Sequence, residues 1–379
     1  MKTPFVYGHI AIDENYTNRE KEIRQLSANF LGLINTIIIS PRRWGKTSLV
    51  NRVSEILEKE HAKEIVVCRF DTFTCRNEDQ FYRAFANAVM KASFSKWDKF
   101  VEASKKYLGR FAPNISFSDT AQSYELSFGV KFKDHDMSIE EILNLPQTIA
   151  KDIGKRIVVC VDEFQKITDY PESLEFQQNL RAHWQMHDRV CYCLYGSKRH
   201  LLADIFSSYD KPFYKFGDII FLNKIERLDW INFIQERFEK TEKKIAPELC
   251  GHIADFAQNH PYYTQQLSQQ VWLRTDKECN DVILEQSIRD LIAQLSLLFI
   301  NIIDNMTIRQ VNFLVAIVNG EINFSSKSVL TNYDLGTSAN IKNLKKALLD
   351  KDLIDILPDE KIVIQDPAFE YWIKTEYLK

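Results

Sequence analysis

The chain reads as an α/β domain built on a five-stranded parallel sheet with an inserted β-hairpin, followed by a helical domain and a C-terminal winged helix. Three observations lead there. Between residues 36 and 222, five short apolar runs alternate with amphipathic helical stretches, the signature of βαβ units. Over 224–305 the pattern is helical throughout, and over 306–379 three helices precede a strand pair.

Length and composition frame that reading. At roughly 100 to 200 residues per domain, 379 residues suggest two or three domains with room for a real core. With 49 basic and 52 acidic side chains (net charge −3) and 45% hydrophobic residues, the chain is an ordinary globular protein. A collagen, a disordered tail and a supercharged nucleic-acid coat are excluded. No unbroken apolar run reaches the ~18 to 20 residues that cross a bilayer, and MKTPFVYGHI lacks the pattern of a signal peptide, so the expectation is a cytoplasmic protein with no membrane partner. Seven cysteines without a CxxC pair or histidines at finger spacing argue against a disulfide framework or a zinc site. Cys191 and Cys193, two apart on a strand, share one face and read as buried small side chains in preference to a metal pair.

The five strands are TIIIS (36–40), EIVVCRF (64–70), RIVVCVD (156–162), VCYCLYG (190–196) and DIIFL (218–222). Their near-continuous apolar character indicates cover by helices on both faces. Between the helix holding Phe81, Phe85 and Val89 and the strand at 156, SYELSFGVKFK alternates cleanly, placing Tyr124, Leu126, Phe128, Val130 and Phe132 on one side. With NISFSDTAQ before it, this is a β-hairpin inserted near 112–135. Its apolar side either packs on its own domain or forms a flap for a partner. LDWINFIQERFEK, PELCGHIADFAQ, PYYTQQLSQQVWLRT and VILEQSIRDLIAQLSLLFINII supply the helical domain; RQVNFLVAIVNG, SSKSVLTNY, SANIKNLKKALLDKDLI, a hairpin in DILPDEKIVIQD and a terminal helix supply the winged helix. The expected domains are therefore 1–223, 224–305 and 306–379.

At the end of the first strand stand Ser40, Pro41, Arg42, Arg43, Trp44, Gly45, Lys46, Thr47 and Ser48. In the phosphate-loop pattern G-x-x-x-x-G-K-[ST], backbone N–H groups cradle phosphates, the lysine reaches β and γ oxygens and the hydroxyl holds Mg²⁺. The triplet Gly45-Lys46-Thr47 is short enough to arise by chance, but an apolar strand before it and the amphipathic TSLVNRVSEILEKE after it aim a helix N-terminus at the same place. RIVVCVDEFQ supplies the complementary half. Asp162 would hold Mg²⁺ through water, and Glu163 would orient and deprotonate an attacking water. Lys46 could instead be a surface lysine, and Asp162 with Glu163 a strand cap. Both halves falling on strands of one sheet favour a site for ATP or ADP with Mg²⁺.

The string PRRWGKTSL with VDEFQ, preceded by Asn18-Arg19-Glu20-Lys21-Glu22, resembles the archaeal-type ATPases of bacteria and archaea, members of the STAND branch of the AAA+ P-loop ATPases. The resemblance extends over nearly the whole chain, through the Gly196-Ser197 turn, Pro212-Phe213-Tyr214, His260-Pro261-Tyr262 and the winged helix. It implies that Ser197 is the sensor 1 residue reporting on the γ-phosphate, that Pro261 packs near the adenine and that Arg19 lines the base. His260 and Tyr262 are either core packing or ligands. It further implies a slow ATPase (ATP and water to ADP and phosphate) acting as a switch, whose nucleotide state changes the docking of helical lid and winged helix, with a nucleotide-dependent homo-oligomer possible. Two departures stand out. Ser40 replaces the first glycine, the residue best suited to tight turns, which lowers the expected affinity or turnover. No arginine stands out as a finger completing a neighbour's site; Arg181 and Arg199 are the candidates.

A winged helix invites DNA, with Ser338 to Lys346 as the recognition helix. From 306 to 379, however, nine Lys and Arg face ten Asp and Glu, whereas DNA-reading domains carry a basic excess. Lys342, Lys345 and Lys346 form only a local basic edge. The leading expectation is a switch whose wing docks an unidentified protein partner or autoinhibits. The alternatives are an ATP-dependent DNA-binding regulator or loader, and a scaffold that holds nucleotide with little turnover.

Overall fold

The computed structural model describes residues 3–9, 17–109, 113–118, 123–128, 136–357 and 360–378, with backbone only at 113–118, 123–128 and 136–138. The chain forms two compact units, one of 19–42 and 46–222, the other of 1–18, 43–45 and 223–379.

The first unit begins with α1 (Glu20–Leu31), β1 (Thr36–Ile39), α2 (Lys46–Glu60), β2 (Ile65–Asp71), α3 (Glu78–Ser93) and α4 (Trp97–Leu108). The hairpin β3 (Pro113–Ser118) and β4 (Ser123–Phe128) follows, then α5 (Asp136–Leu143), α6 (Leu145–Ile153), β5 (Arg156–Asp162) and a 3₁₀ turn, Phe164–Asp169. It closes with α7 (Ser173–Trp184), β6 (Val190–Gly196), α8 (Arg199–Ser207) and β7 (Asp218–Phe221). The sheet runs β2-β5-β6-β1-β7, and every pairing is parallel. The five expected strands are these five. Local chemistry sets the helix ends: the Asn77 side chain accepts the Gln80 N–H at the start of α3, and Gly154 closes α6 in the left-handed conformation at φ +67.

Apolar burial holds this unit. Every residue of β1 and β6 is buried, and Trp184 of α7 lies flat on Tyr192 of β6 with centroids 4.1 Å apart. Phe85, Phe164 and Phe213 close around the same indole at 6.0 to 6.4 Å. In the inserted hairpin, β4 runs beside α3 and β3 beside α4, which favours packing on its own domain. The expected alternation from Tyr124 to Phe132 and the rest of 112–135 lie outside the described side chains. The cysteines are free and buried, Cys191 and Cys193 completely.

The second unit contains α9 (Arg227–Glu239), α10 (Pro247–Phe256), α11 (Pro261–Arg274) and α12 (Asp281–Asp304). These are followed by α13 (Ile308–Val318), α14 (Lys327–Asn332), α15 (Ser338–Asp350), the antiparallel pair β8 (Ile354–Ile356) and β9 (Ile362–Ile364), and α16 (Pro367–Trp372). Three helices, a strand pair and a closing helix make the winged helix. Its first helix starts with a reciprocal capping box, Thr307 with Gln310. The unit has two apolar cores, and α12 runs from one into the other: Leu291 belongs to the first and Ile292 to the second. Among the described residues α12 is the one helix long and apolar enough, by length and composition, to cross a bilayer, a feature that its interrupting charges hid in the sequence. Residues 3–9, numbered with the sheet domain in the sequence reading, pack on this helical unit. Phe5 fills a slot beside Phe233 and Phe238, at 6.1 and 6.0 Å, and the Val6 N–H donates to Gln265 Oε1 at 3.0 Å.

Trp184→Ala removes the largest side chain of the sheet unit's core, and the expected loss is about 3–5 kcal/mol. Urea unfolding followed by circular dichroism measures it. A loss below about 1 kcal/mol would show that the aromatic stack does not hold the unit.

Candidate phosphate and metal site

The site grows from the end of β1. The chain leaves the sheet at Ile39, turns through 40–45 and enters α2 at Lys46. Two residues of the turn take left-handed backbone, Arg43 at φ +64 and Gly45 at φ +90. The glycine is needed at Gly45, where L residues are strained. Ser40 has no such conformation; it is buried, and its hydroxyl donates to the Pro41 carbonyl at 3.2 Å. The expected penalty for losing the first glycine therefore has no backbone basis.

Lys46, 5% exposed, folds back onto its own loop, its Nζ donating to the carbonyls of Ser40 (3.1 Å) and Pro41 (2.8 Å). Burial pushes the ammonium down to about 8; the charges of Glu163 and Asp162 pull it up and that of Arg42 adds to the fall. Thr47 is the second residue of α2, and its hydroxyl donates to Asp162 Oδ2 at 2.7 Å. Ser48 is buried in the same first turn, and Arg42 is exposed.

Asp162 is the last residue of β5. Burial raises its carboxyl to about 6, while bonds from the Thr47 hydroxyl and the Glu163 N–H (2.8 Å) pull it down and the charges of Glu163 and Asp71 push it up. Glu163 itself takes left-handed backbone, φ 51 and ψ 36, which costs a non-glycine residue about 1 kcal/mol and reverses the chain into the 3₁₀ turn. Its Oε2 accepts from Ser197 Oγ at 2.8 Å and from Gln165 Nε2. Lys46, Thr47, Asp162, Glu163 and Ser197 are thus brought together.

Three contributors escaped that reading. Asp71 ends β2 as the register partner of Asp162, which puts a third carboxylate beside the pair. Burial pushes the Asp71 carboxyl above its usual range, the Phe73 N–H (2.7 Å) pulls it back and the Glu163 charge adds to the rise. The Thr72 hydroxyl lies 2.9 Å from the Asp162 carbonyl and 2.8 Å from that of Glu163, pinning the backbone there. Gln165 is the third. The available signal was positional: a carboxylate ending the strand beside VDEF, and a glutamine two residues past the acid.

The remaining candidates are scattered. Arg19 is buried at the N-terminus of α1 and pairs with Glu22 at 3.2 Å. Pro261 is the first residue of α11. In the helical unit the Arg43 guanidinium lies 4.2 Å over the Tyr262 ring, which also meets Tyr7 edge-on, and His260 is buried at 6.4 Å from Trp44. Arg181 is spent on its own unit, 4.9 Å over Phe216. Arg199 is the first residue of α8. In the winged helix Lys342 and Lys346 are exposed, whereas Lys345 is half-buried and 5.9 Å over Phe324.

A Walker-type ATPase of Pyrococcus abyssi is similar over 98% of this chain and 99% of its own, with a TM-score of 0.66 at 16% identity. The fold is that of a P-loop NTPase. The ORC2 protein of Aeropyrum pernix, solved as ADPNP–ADP complexes, shares it over 99% and 100% of the two chains at TM-score 0.59 and 14% identity. The ORC1 protein of the same organism, in complex with DNA, matches over 96% and 94% at TM-score 0.50 and 10% identity. Within the P-loop NTPase unit, residues 44–172 match the KAP family P-loop domain, and residues 297–375 match a probable winged helix domain. No curated protein matches the sequence.

The strain in this site sits on Lys46. Because its folded pKa, about 8, is below the ordinary 10.5, the charged form is penalised in the folded state at all pH values below 8, and the penalty fades as pH climbs from 8 to 10.5. Lys46→Met should therefore stabilise the protein by about 1–2 kcal/mol at pH 7 and by less at pH 10. Urea midpoints at the two pH values decide it. A variant less stable than wild type at pH 7 would contradict the desolvation argument.

Proposed function

We propose that the protein binds ATP with Mg²⁺ and hydrolyses it slowly to ADP and phosphate, as a molecular switch of the STAND type. The observation that carries this reading is the hydrogen bond from Thr47 to Asp162, with Lys46, Glu163 and Ser197 gathered around it. The main-chain N–H groups of 42–48, leading into α2, suit an anion, and Lys46 would exchange its two carbonyl partners for β and γ oxygens. Hard oxygen donors from Thr47 and Asp162 fit Mg²⁺, which keeps waters and phosphate ligands; among the described residues no three His, Cys, Asp or Glu side chains form an all-protein cage. Bound there, Mg²⁺ would neutralise charge on the β and γ phosphate oxygens. Glu163 would accept a proton from water as the water oxygen bonds to the γ-phosphorus and the bond to the ADP oxygen breaks. Ser197, already on Oε2 of that carboxylate, would sense the γ-phosphate. The resemblance assigns Arg19 and Pro261 to the base.

A second reading has one observation in its favour: Lys342 and Lys346 stand exposed on α15 of the winged helix. With DNA bound to the ORC1 protein of similar fold, it makes the chain an ATP-dependent DNA-binding regulator.

Lys46→Ala should weaken ATP binding by about 100-fold or more, while Glu163→Gln keeps binding within about threefold and loses about 100-fold in turnover. Nucleotide titration and phosphate release measure both, and equal turnover by Glu163→Gln and wild type would remove the catalytic assignment. A gel shift at low salt tests the second reading: no shift removes it, and a shift abolished by Lys342→Glu with Lys346→Glu supports it.

A further inference from the structure

Gln165 is 2% exposed, in a turn whose neighbours Phe164 and Ile167 are completely buried. Its amide is oddly satisfied. Nε2 donates to Glu163 Oε2, while Oε1 is buried without a protein partner among the described residues. An unsatisfied buried acceptor costs about 1–3 kcal/mol, and leucine or methionine would fill the same space without that cost. The carboxylate explains the orientation, because it can only accept: the NH₂ end must face Glu163, and the oxygen is left stranded.

The neighbouring strand makes room for that arrangement. A Cβ on Gly196 would stand 1.8 Å from Gln165 Oε1, 2.9 Å from its Cδ and 3.3 Å from the Cα of Glu163. Gly196 has no left-handed backbone to require glycine, so the glycine serves the approach of the amide. The chain reversal at Glu163 delivers Gln165 to this spot, and the turn is closed by Lys166 N–H to the Glu163 carbonyl (2.8 Å) and Thr168 Oγ1 to the Gln165 carbonyl (2.8 Å). Both described donors, Gln165 and Ser197, fall on the same carboxylate oxygen, Oε2. Among the described residues no hydrogen-bond donor falls on Oε1 of Glu163.

The geometry points to Gln165 as a positioning residue for Glu163, seated by Gly196, that fixes the rotation of the carboxylate and so the oxygen which takes the proton during ATP hydrolysis. This rests on the reading of Glu163 as the base. Residues that orient a reacting or ligating group typically contribute 10- to 100-fold.

Steady-state ATPase kinetics of the full chain test it, with Glu163→Gln as the reference for a missing base. Gln165→Met, which keeps the volume and loses the amide, should lower kcat about tenfold with the KM for ATP unchanged. Gly196→Ala should do the same by displacing the amide. The double variant Gln165→Ala with Gly196→Ala should lose well under about a hundredfold, because the amide that the alanine displaces is gone and only its 3.3 Å contact with the Glu163 Cα remains. Wild-type kcat in Gln165→Met, or losses that multiply in the double variant, would overturn the inference while turnover still depends on Glu163. Should Gln165→Met fail to fold, seen as a lost thermal transition, the Gly196→Ala variant carries the test by itself: unchanged kcat overturns the proposal. If wild type and Glu163→Gln turn over alike, the base assignment fails first and this inference with it.

Discussion

Parallel register brings the chemistry to one edge of the sheet. Ile39 pairs with Gly196 and Asp71 with Asp162, so the chain leaves β1, β2, β5 and β6 at the same level. What pins the register is apolar burial on both faces, since a slip of one residue in a strand exchanges its two faces. Sliding β5 by one place would turn Asp162 away from Thr47 and force side chains fitted to one buried face to repack on the other. The aromatic stack around Trp184 belongs to the same constraint. It seals one face of the strands whose ends carry the polar groups.

Charge at that edge is held in a balance of opposed penalties. Lys46, Asp162 and Asp71 each lose solvation, which disfavours the ammonium of the first and the carboxylates of the other two. Lys46 and Asp162 each moderate the cost through partners, the lysine through the opposite charges and the acid through two hydrogen bonds. Such groups are interdependent, because a change at one alters the charge that its neighbours meet. The left-handed backbone at Glu163 belongs to the same economy of strain: a local conformational penalty sets the acid just past the strand end and folds Gln165 back over it.

Much of this was legible in the amino-acid order. Strands announce themselves as β-branched runs, and the loop and its acidic partner lie on two of them, so their meeting follows from topology. Asp71 was not legible, because a single aspartate after IVVCRF has no motif and gains meaning only from its pairing with Asp162. Gln165 looked like any polar residue after a strand, and Gly196 like a turn glycine; their relation is a contact between neighbouring strands with no local trace. Phe5 was read by its place in the chain, yet its slot is made by Phe233 and Phe238 more than two hundred residues later. The concern over Ser40 loses its backbone argument for a related reason. The pattern places glycine at its first position, while this backbone asks for it only at Gly45.

The two carbonyls that receive Lys46 occupy its donors as the anion of the proposed function would. An ammonium so occupied is already in place and already dehydrated, so under the proposed function an arriving phosphate would meet a finished socket. It must nevertheless displace bonds of comparable geometry, which makes association an exchange of partners. Affinity in such a site measures the difference between two sets of oxygen ligands around one nitrogen, and small distortions of the Ser40–Pro41 peptide would be felt as changes in grip on a molecule that never touches it.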